Sequence, residues 1–320
     1  MKRFGITMGD PCGIGPEICI KALIQRPEYL NRCVIYGSAS VLRHYAGKLD
    51  YDTEISVIDS AGSAKTNVLN VVDPNSVSVN DIQIGKLSSL GGECAFQYVV
   101  NAIREALDEK ISSVVTAPLN KEALRMAGHN YAGHTEIFSD YTKGENYAML
   151  LWSDKLKAIH ASTHISLLKA CKVTKQREID VIRLAHQTLC KVGYSNPHIA
   201  VAGLNPHAGE NGLFGDEELK EIIPAIEACR AEGIRVSGPI PPDTVFLRAV
   251  KGEFDIVVAQ YHDQGHIPLK LLAFDNGVNI TVGLNVVRTS VDHGTAFDIA
   301  GTLAAKPDSL ICAIEVGEKL

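Results

Sequence analysis

The chain has 320 residues, with 31 Lys and Arg against 37 Asp and Glu for a net charge of −6, and 46% of its residues are hydrophobic. That balance suits one large α/β unit or two ordinary domains and excludes a disordered chain, while net acidity excludes a partner bound by bulk neutralisation of nucleic-acid phosphates. No run of about 18 apolar residues occurs, so no membrane span is expected.

In chain order, Met1-Lys2-Arg3 runs directly into the strand-like Phe4-Gly5-Ile6-Thr7, so no signal peptide is expected. The segment GDPCGIGPE at 9–17 follows, and a helix is predicted to open at Pro16, a residue suited to a first helical turn. Its glycines permit a tight turn and close backbone approach, and a helix N-terminus favours an anion. The segment is neither a Rossmann GxGxxG nor a phosphate loop, and a turn with no ligand explains it equally well.

Residues 93–107 place Ala95, Phe96, Val99, Val100, Ile103 and Leu107 at helical spacing, and Val114-Val115 is a short apolar run ending in Thr116-Ala117-Pro118. Gly133-His134-Thr135-Glu136 reads as a loop entering a helix, with Thr135 as a cap or a phosphate ligand. Runs rich in Val, Ile and Ala at 157–161, 198–203, 255–260 and 278–282 read as strands. Helices are predicted at about 176–192 and 216–232, the second opening on Asp216-Glu217-Glu218 and closing at Gly233. This alternation predicts an α/β fold with a mostly parallel sheet covered on both faces. Lys270, among Leu269, Leu271 and Leu272, either snorkels to solvent or holds a phosphate. Arg288, Asp292 and His293 read as a polar loop between apolar runs, either a ligand contact or a solvated turn. Eight cysteines lie scattered with no CxxC pair, which points to reduced, buried thiols and a cytoplasmic setting.

Three of the eleven histidines occupy equivalent places. His164, His207 and His262 each follow a buried-strand run, at the carboxyl end where open α/β sheets bind ligands. Imidazole is a common ligand for zinc and related divalent cations, and a catalytic metal needs about three protein ligands and an open position. Separations of 43 and 55 positions exclude a local finger but suit ligands gathered by tertiary folding. The plainer alternative is that each is a packed or hydrogen-bonded strand-end histidine. His160 alternates within its strand and reads as a packing residue. His266, four residues past His262 in what reads as the same loop, is a weaker competitor for ligation, and Asp263 could ligate, act as a base or satisfy loop amides.

Seven segments in order, GDPCGIGPE at 9–17, TAPLNK at 116–121, GHTE at 133–136, NPHAGE at 205–210, PPDTVF at 241–246, YHDQG at 261–265 and RTSVDHGTAFDIAG at 288–301, make the chain resemble the 4-hydroxythreonine-4-phosphate dehydrogenase family, PdxA, over nearly its whole length. The resemblance extends to the broader isocitrate and isopropylmalate dehydrogenase fold. It implies two α/β/α lobes around a cleft and a non-Rossmann NAD site. The dinucleotide-side lobe would be discontinuous, 1–128 plus about 270–320, with a metal, substrate and dimerisation lobe at about 129–269. It implies that His164, His207 and His262 ligate a divalent cation (Zn, Mg, Mn or Co), with His262 coming from the second subunit of a homodimer that shares its active site. His134, Thr135, Lys270, Asn279 and Arg288 match substrate contacts, several on phosphate. Asp243 and Asp263, with Lys270, match groups near the reacting centre, and Asp292, His293 and Gly294 the loop that approaches the dinucleotide.

The implied reaction is NAD-dependent oxidation of the C3 hydroxyl of a 4-phosphorylated four-carbon acid, followed by decarboxylation. Members divide by the C2 group: a hydroxyl in 4-phospho-D-threonate or 4-phospho-D-erythronate, giving dihydroxyacetone phosphate and CO2, or an amine in 4-phosphohydroxy-L-threonine, giving 3-amino-2-oxopropyl phosphate for pyridoxal 5'-phosphate biosynthesis. His266-Ile267-Pro268 after Gly265, where the biosynthetic branch usually carries Leu-Pro, resembles the sugar-acid branch. Two other classes are distinguishable: a metal-dependent hydrolase would need no dinucleotide, and a non-catalytic phosphometabolite-binding protein would not need the metal histidines.

Overall fold

A computed structural model of the chain describes residues 3–144, 146–273 and 277–320; Met1 and Lys2 of the expected N-terminal approach lie outside the described residues. Its contacts divide the chain into two compact units, residues 1–145 with 284–318 and residues 146–283 with 319–320.

The first unit opens with β1 (Arg3–Thr7), α1 (Gly15–Gln25), β2 (Cys33–Tyr36), α2 (Ala39–Lys48), β3 (Ile55–Val57), β4 (Leu69–Val72), α3 (Ser89–Leu107), β5 (Ile111–Thr116), α4 (Lys121–Met126) and α5 (His134–Thr142). The second holds β6 (Ala148–Trp152), β7 (Lys157–His160), α6 (Leu167–Ala170), α7 (Lys175–Lys191), β8 (Ile199–Ala202), α8 (Ile223–Ala231), β9 (Val236–Ile240), α9 (Pro242–Val250), β10 (Ile256–Ala259), α10 (His262–Ala273) and β11 (Val278–Val282). The chain returns to the first unit for β12 (Arg288–Val291) and α11 (Asp308–Gly317).

The sheet of the first unit is parallel throughout, in the order β3-β4-β2-β1-β5-β12. This is not the 3-2-1-4-5-6 order of the Rossmann fold. In the second unit β7, β10, β8 and β9 run parallel, and β6 and β11 add an antiparallel edge. Strands β8 and β10 are buried at every position, because helices cover both faces of a parallel sheet. Ser88 caps α3 by accepting from the Gly91 amide at 3.0 Å, and Thr174 caps α7 through the Arg177 amide at 3.3 Å. The helix expected at 216–232 opens instead with one π turn, Glu218–Ile222, before α8. None of the described helices is long and apolar enough to cross a membrane.

Two segments read as loops are regular structure. His262, Asp263 and His266 stand on α10 rather than in a loop. Gly265 and Pro268 discourage a helix locally, but tertiary packing outweighs them. A Cβ on Gly265 would stand 2.4 Å from His160 Nε2, so glycine lets α10 pack against β7. Arg288 likewise opens the buried strand β12, paired in parallel with Val114 of β5, although it was expected in a polar loop.

Candidate active site

Strands β7, β10 and β8 are adjacent and parallel, so their carboxyl ends share one edge of the second unit. His164, His262 and His207 follow those ends in that spatial order. The rings of His164 and His262 lie 5.8 Å apart between centroids. A cavity of about 350 Å³ there is lined by Thr163, His164, Ile165, Tyr261, His262 and Asp263, among others.

His262 is oriented on two sides. Its Nδ1 lies 2.6 Å from Asp263 Oδ1, a carboxylate that accepts Nδ1–H; in the neutral ring this pairing puts the lone pair a cation requires on Nε2. Its ring stacks on that of His266 at 3.6 Å with planes 12° apart, and His266 Nδ1–H donates to the His262 carbonyl at 2.9 Å. Burial, with the neighbouring His262, pulls the His266 pKa down to about 4; burial and then His266 pull that of fully buried His160 to about 3. Both are neutral near pH 7, and His160 is the packing residue its strand position implied.

His207 sits at the start of an unusual turn. Five successive residues, His207, Ala208, Gly209, Glu210 and Asn211, all have positive φ, between 43° and 79°. Left-handed backbone costs on the order of 1–2 kcal/mol per non-glycine residue, so tertiary contacts must impose this turn. Among the described residues no three His, Cys, Asp or Glu are gathered into a metal-binding group within one chain. The donor chemistry fits a cation at His164 and His262: neighbouring imidazoles on one strand edge, one of them held by a carboxylate in the ligating tautomer.

In the first unit, Arg288 is 4% exposed. Its Nη1 donates to Thr135 Oγ1 at 3.3 Å and its Nη2 to Thr116 Oγ1 at 3.2 Å, and the guanidinium lies 5.8 Å from the Phe138 ring. Burial pulls its pKa down to about 10, opposed by Glu136, so it stays charged near neutrality. His134 is held neutral by burial and then by Arg288, and its buried Nε2 has no hydrogen-bond partner among the described residues. A buried cation beside two hydroxyls and a neutral imidazole is a donor set suited to an anion. Of these residues, Thr116 and Glu136 carry no functional assignment from the sequence; the position of Thr116 at the end of an apolar strand is the signal that points to it.

The remaining candidates are more dispersed. Lys270 is exposed in the last turn of α10, Asn279 is half-buried on β11, and Asp243 is exposed in the first turn of α9. Asp292, His293 and Gly294 leave the end of β12, with His293 and Gly294 exposed and space around Gly294.

The glycine segment after β1 is occupied by the protein itself. Asp10 accepts from the Cys12 amide at 2.9 Å, its own amide donates to the Pro118 carbonyl at 3.0 Å, and the Ile14 amide donates to the Thr295 carbonyl at 3.0 Å. A Cβ on Gly15 would stand 2.0 Å from the Met8 carbonyl oxygen. Burial raises the Asp10 pKa to about 6, the Cys12 amide opposing. Every residue from 9 to 17 is buried, so the segment joins the loops after β1, β5 and β12 and offers no open anion cradle.

The family model for pyridoxal phosphate biosynthetic protein PdxA matches residues 29–317. The chain is 48% identical to the D-threonate 4-phosphate dehydrogenase of Salmonella typhimurium strain LT2, across 100% of this chain and 99% of that protein. It superposes on the crystal structure of 4-hydroxythreonine-4-phosphate dehydrogenase from Klebsiella pneumoniae with a TM-score of 0.89 at 48% identity, covering 99% of this chain and 97% of that one. Isocitrate dehydrogenase from Methylococcus capsulatus shares the fold at 16% identity and a TM-score of 0.51, covering 99% of this chain and 85% of that one. The expected α/β architecture, of the isocitrate dehydrogenase kind and not Rossmann, is the one observed, and the chain belongs to the PdxA family.

Proposed function

We propose that the protein is an NAD-dependent, divalent-metal-dependent dehydrogenase that oxidises the C3 hydroxyl of a 4-phosphorylated four-carbon hydroxy acid, 4-phospho-D-threonate or 4-phospho-D-erythronate, with decarboxylation to dihydroxyacetone phosphate and CO2. The observation that carries this reading is the buried Arg288 between Thr116 and Thr135, beside a His134 Nε2 that has no hydrogen-bond partner among the described residues. A buried guanidinium is stabilised by an oxyanion, and a phosphate supplies several acceptors at once. In the second unit, His164, His207 and His262 are the residues to hold the cation, as the Asp263-fixed tautomer supports. When bound, a divalent cation supplies Lewis acidity at the C3 hydroxyl and NAD supplies the hydride acceptor.

The chain's own groups then have defined tasks. Arg288, Thr135 and His134, with Lys270 and Asn279, hold the phosphorylated substrate and fix the approach of C3. Asp263 and Asp243 are the exposed carboxylates available to take a proton from the hydroxyl, and Lys270 the amine available to return one after decarboxylation. Asp292, His293 and Gly294 face the dinucleotide from the open end of β12. Among the described residues of one chain the three imidazoles are not gathered into a metal-binding group, which suits a homodimer in which the partner's copy of the His262 position completes the set.

The choice of a C2 hydroxyl rests on the His266-Ile267-Pro268 segment and on the D-threonate 4-phosphate dehydrogenase relative. The second reading, 4-phosphohydroxy-L-threonine with a C2 amine, is favoured by the name of the solved Klebsiella protein. NADH formation with added Mg, Mn, Co or Zn, comparing the three substrates, decides between them. A preference for either hydroxy acid supports the proposal, a preference for the amino acid replaces it, and no NAD reduction with any of them refutes both.

A further inference from the structure

The left-handed turn that carries His207 is built around one carboxylate eleven positions away. Glu218 is 1% exposed and opens the π turn before α8. Its Oε1 accepts from the backbone amides of Leu204 and Asn205 at 2.8 and 2.7 Å, and its Oε2 accepts from Asn205 Nδ2 at 2.9 Å. Asn205 Nδ2 also donates to Glu217 Oε2 at 2.7 Å. Downstream, a Cβ on Gly209 would stand 2.7 Å from Glu218 Oε2, so the turn wraps directly over this carboxylate. The Ala208 and Phe214 amides close it by donating to the carbonyls of Asn205 and Gly209 at 3.1 Å each. A Cβ on Gly203 would lie 2.7 Å from Ala208 Cα, so the turn also folds back onto the end of β8.

We infer that Glu218 is the positioning residue for His207, holding the strained turn in the one geometry that presents this imidazole at the shared edge of β7, β10 and β8. The inference rests on the metal role proposed for His207. Nothing in the turn's composition would hold it alone, since four of its five left-handed residues are not glycine. The carboxylate supplies acceptors to two backbone amides before the turn and to the side chain that steers its first residue. Glu218→Gln keeps the volume but turns an N–H toward a group that is itself a donor, so one of these bonds is lost. Supporting groups of this kind change metal affinity by about 10–100-fold when they are mutated.

The test is a double-mutant cycle read as zinc affinity of the full-length, chelator-stripped chain, by competition with a chromophoric chelator. Glu218→Gln is expected to weaken zinc binding by about 10–100-fold, and to add nothing further in a His207→Ala background. Equal loss in both backgrounds, or wild-type affinity in Glu218→Gln, overturns the inference. Failure of the unmodified chain to bind zinc overturns the metal reading itself, and the inference with it. Should Glu218→Gln not fold by circular dichroism, Asn205→Ala, which removes only the two side-chain bonds of the turn's anchor, takes its place in the cycle with the same expectations.

Discussion

The strand ends of the two units put similar architecture to opposite uses. In the first unit the loop after β1 is filled by its own neighbours: Asp10, Gly13 and Gly15 meet Cys12, Thr295 and Met8 with no room to spare. In the second, His164 and His207 are exposed at the ends of their strands, and His164 with His262 borders a cavity. The most recognisable glycine motif is therefore a packing device, and the open cavity lies where two histidines distant in sequence, His164 and His262, come together. Conspicuous spacing in a sequence reports tight geometry, which serves a close-packed turn as readily as a ligand.

The largest expected effect breaks the packed side of this contrast. Gly15→Ala should cost roughly 4 kcal/mol or more, because the added methyl meets backbone that cannot move aside; urea unfolding measures it, and a near-neutral variant would show the loop to be slack. Next, Arg288→Met should lower kcat/KM for the phosphorylated substrate by about 100-fold with the fold retained, since it removes charge-assisted bonds to the ligand. Loss of thermal stabilisation by inorganic phosphate in the same variant would place the defect at anion binding; unchanged kinetics would exclude the arginine from the site.

A pH effect sharpens the contrast from inside the second unit. Burial raises the pKa of Glu178 from 4.5 to about 7, with Gln260 and then Arg177 opposing. Its folded-state value exceeds the unfolded one, so the folded chain binds the extra proton between them. The stability this confers is complete below about pH 4.5 and is lost as pH rises through about 7. Glu178→Gln should flatten that dependence, by roughly 1–3 kcal/mol between pH 5 and 8; an identical pH profile in chemical denaturation would contradict it. The smallest stability effect is expected at the open end, where His164→Ala should change unfolding by about 0.5 kcal/mol or less while weakening bound metal. A strongly destabilised His164→Ala would make this histidine a structural residue instead.

The alternation of buried runs with amphipathic helices was enough to read the α/β architecture, and three histidines beyond three strands were legible because strand ends are where such sheets bind ligands. Local rules failed where packing overruled them. Gly265 and Pro268 disguised α10 as a loop, although the glycine is there to admit His160. Thr289 and Ser290 disguised β12 as polar coil, although both are buried and Thr289 Oγ1 donates to the Ala313 carbonyl at 2.7 Å. The left-handed turn at His207 left no trace in composition, because its cause is a carboxylate met only in the folded chain.

Because α10 is continuous from His262 to Lys270, eight residues later, it also acts as a gauge. Eight residues of helix span about 12 Å, and the lysine stem leans back along the axis. On the proposed reading the same subunit's α10 gives both the His262 that ligates the cation and the Lys270 that meets the phosphate, so the permitted length between carboxylate and phosphate is set by helical pitch rather than by adjustable loops. A five-carbon homologue with the same end groups would then be excluded by length, however well each end is recognised.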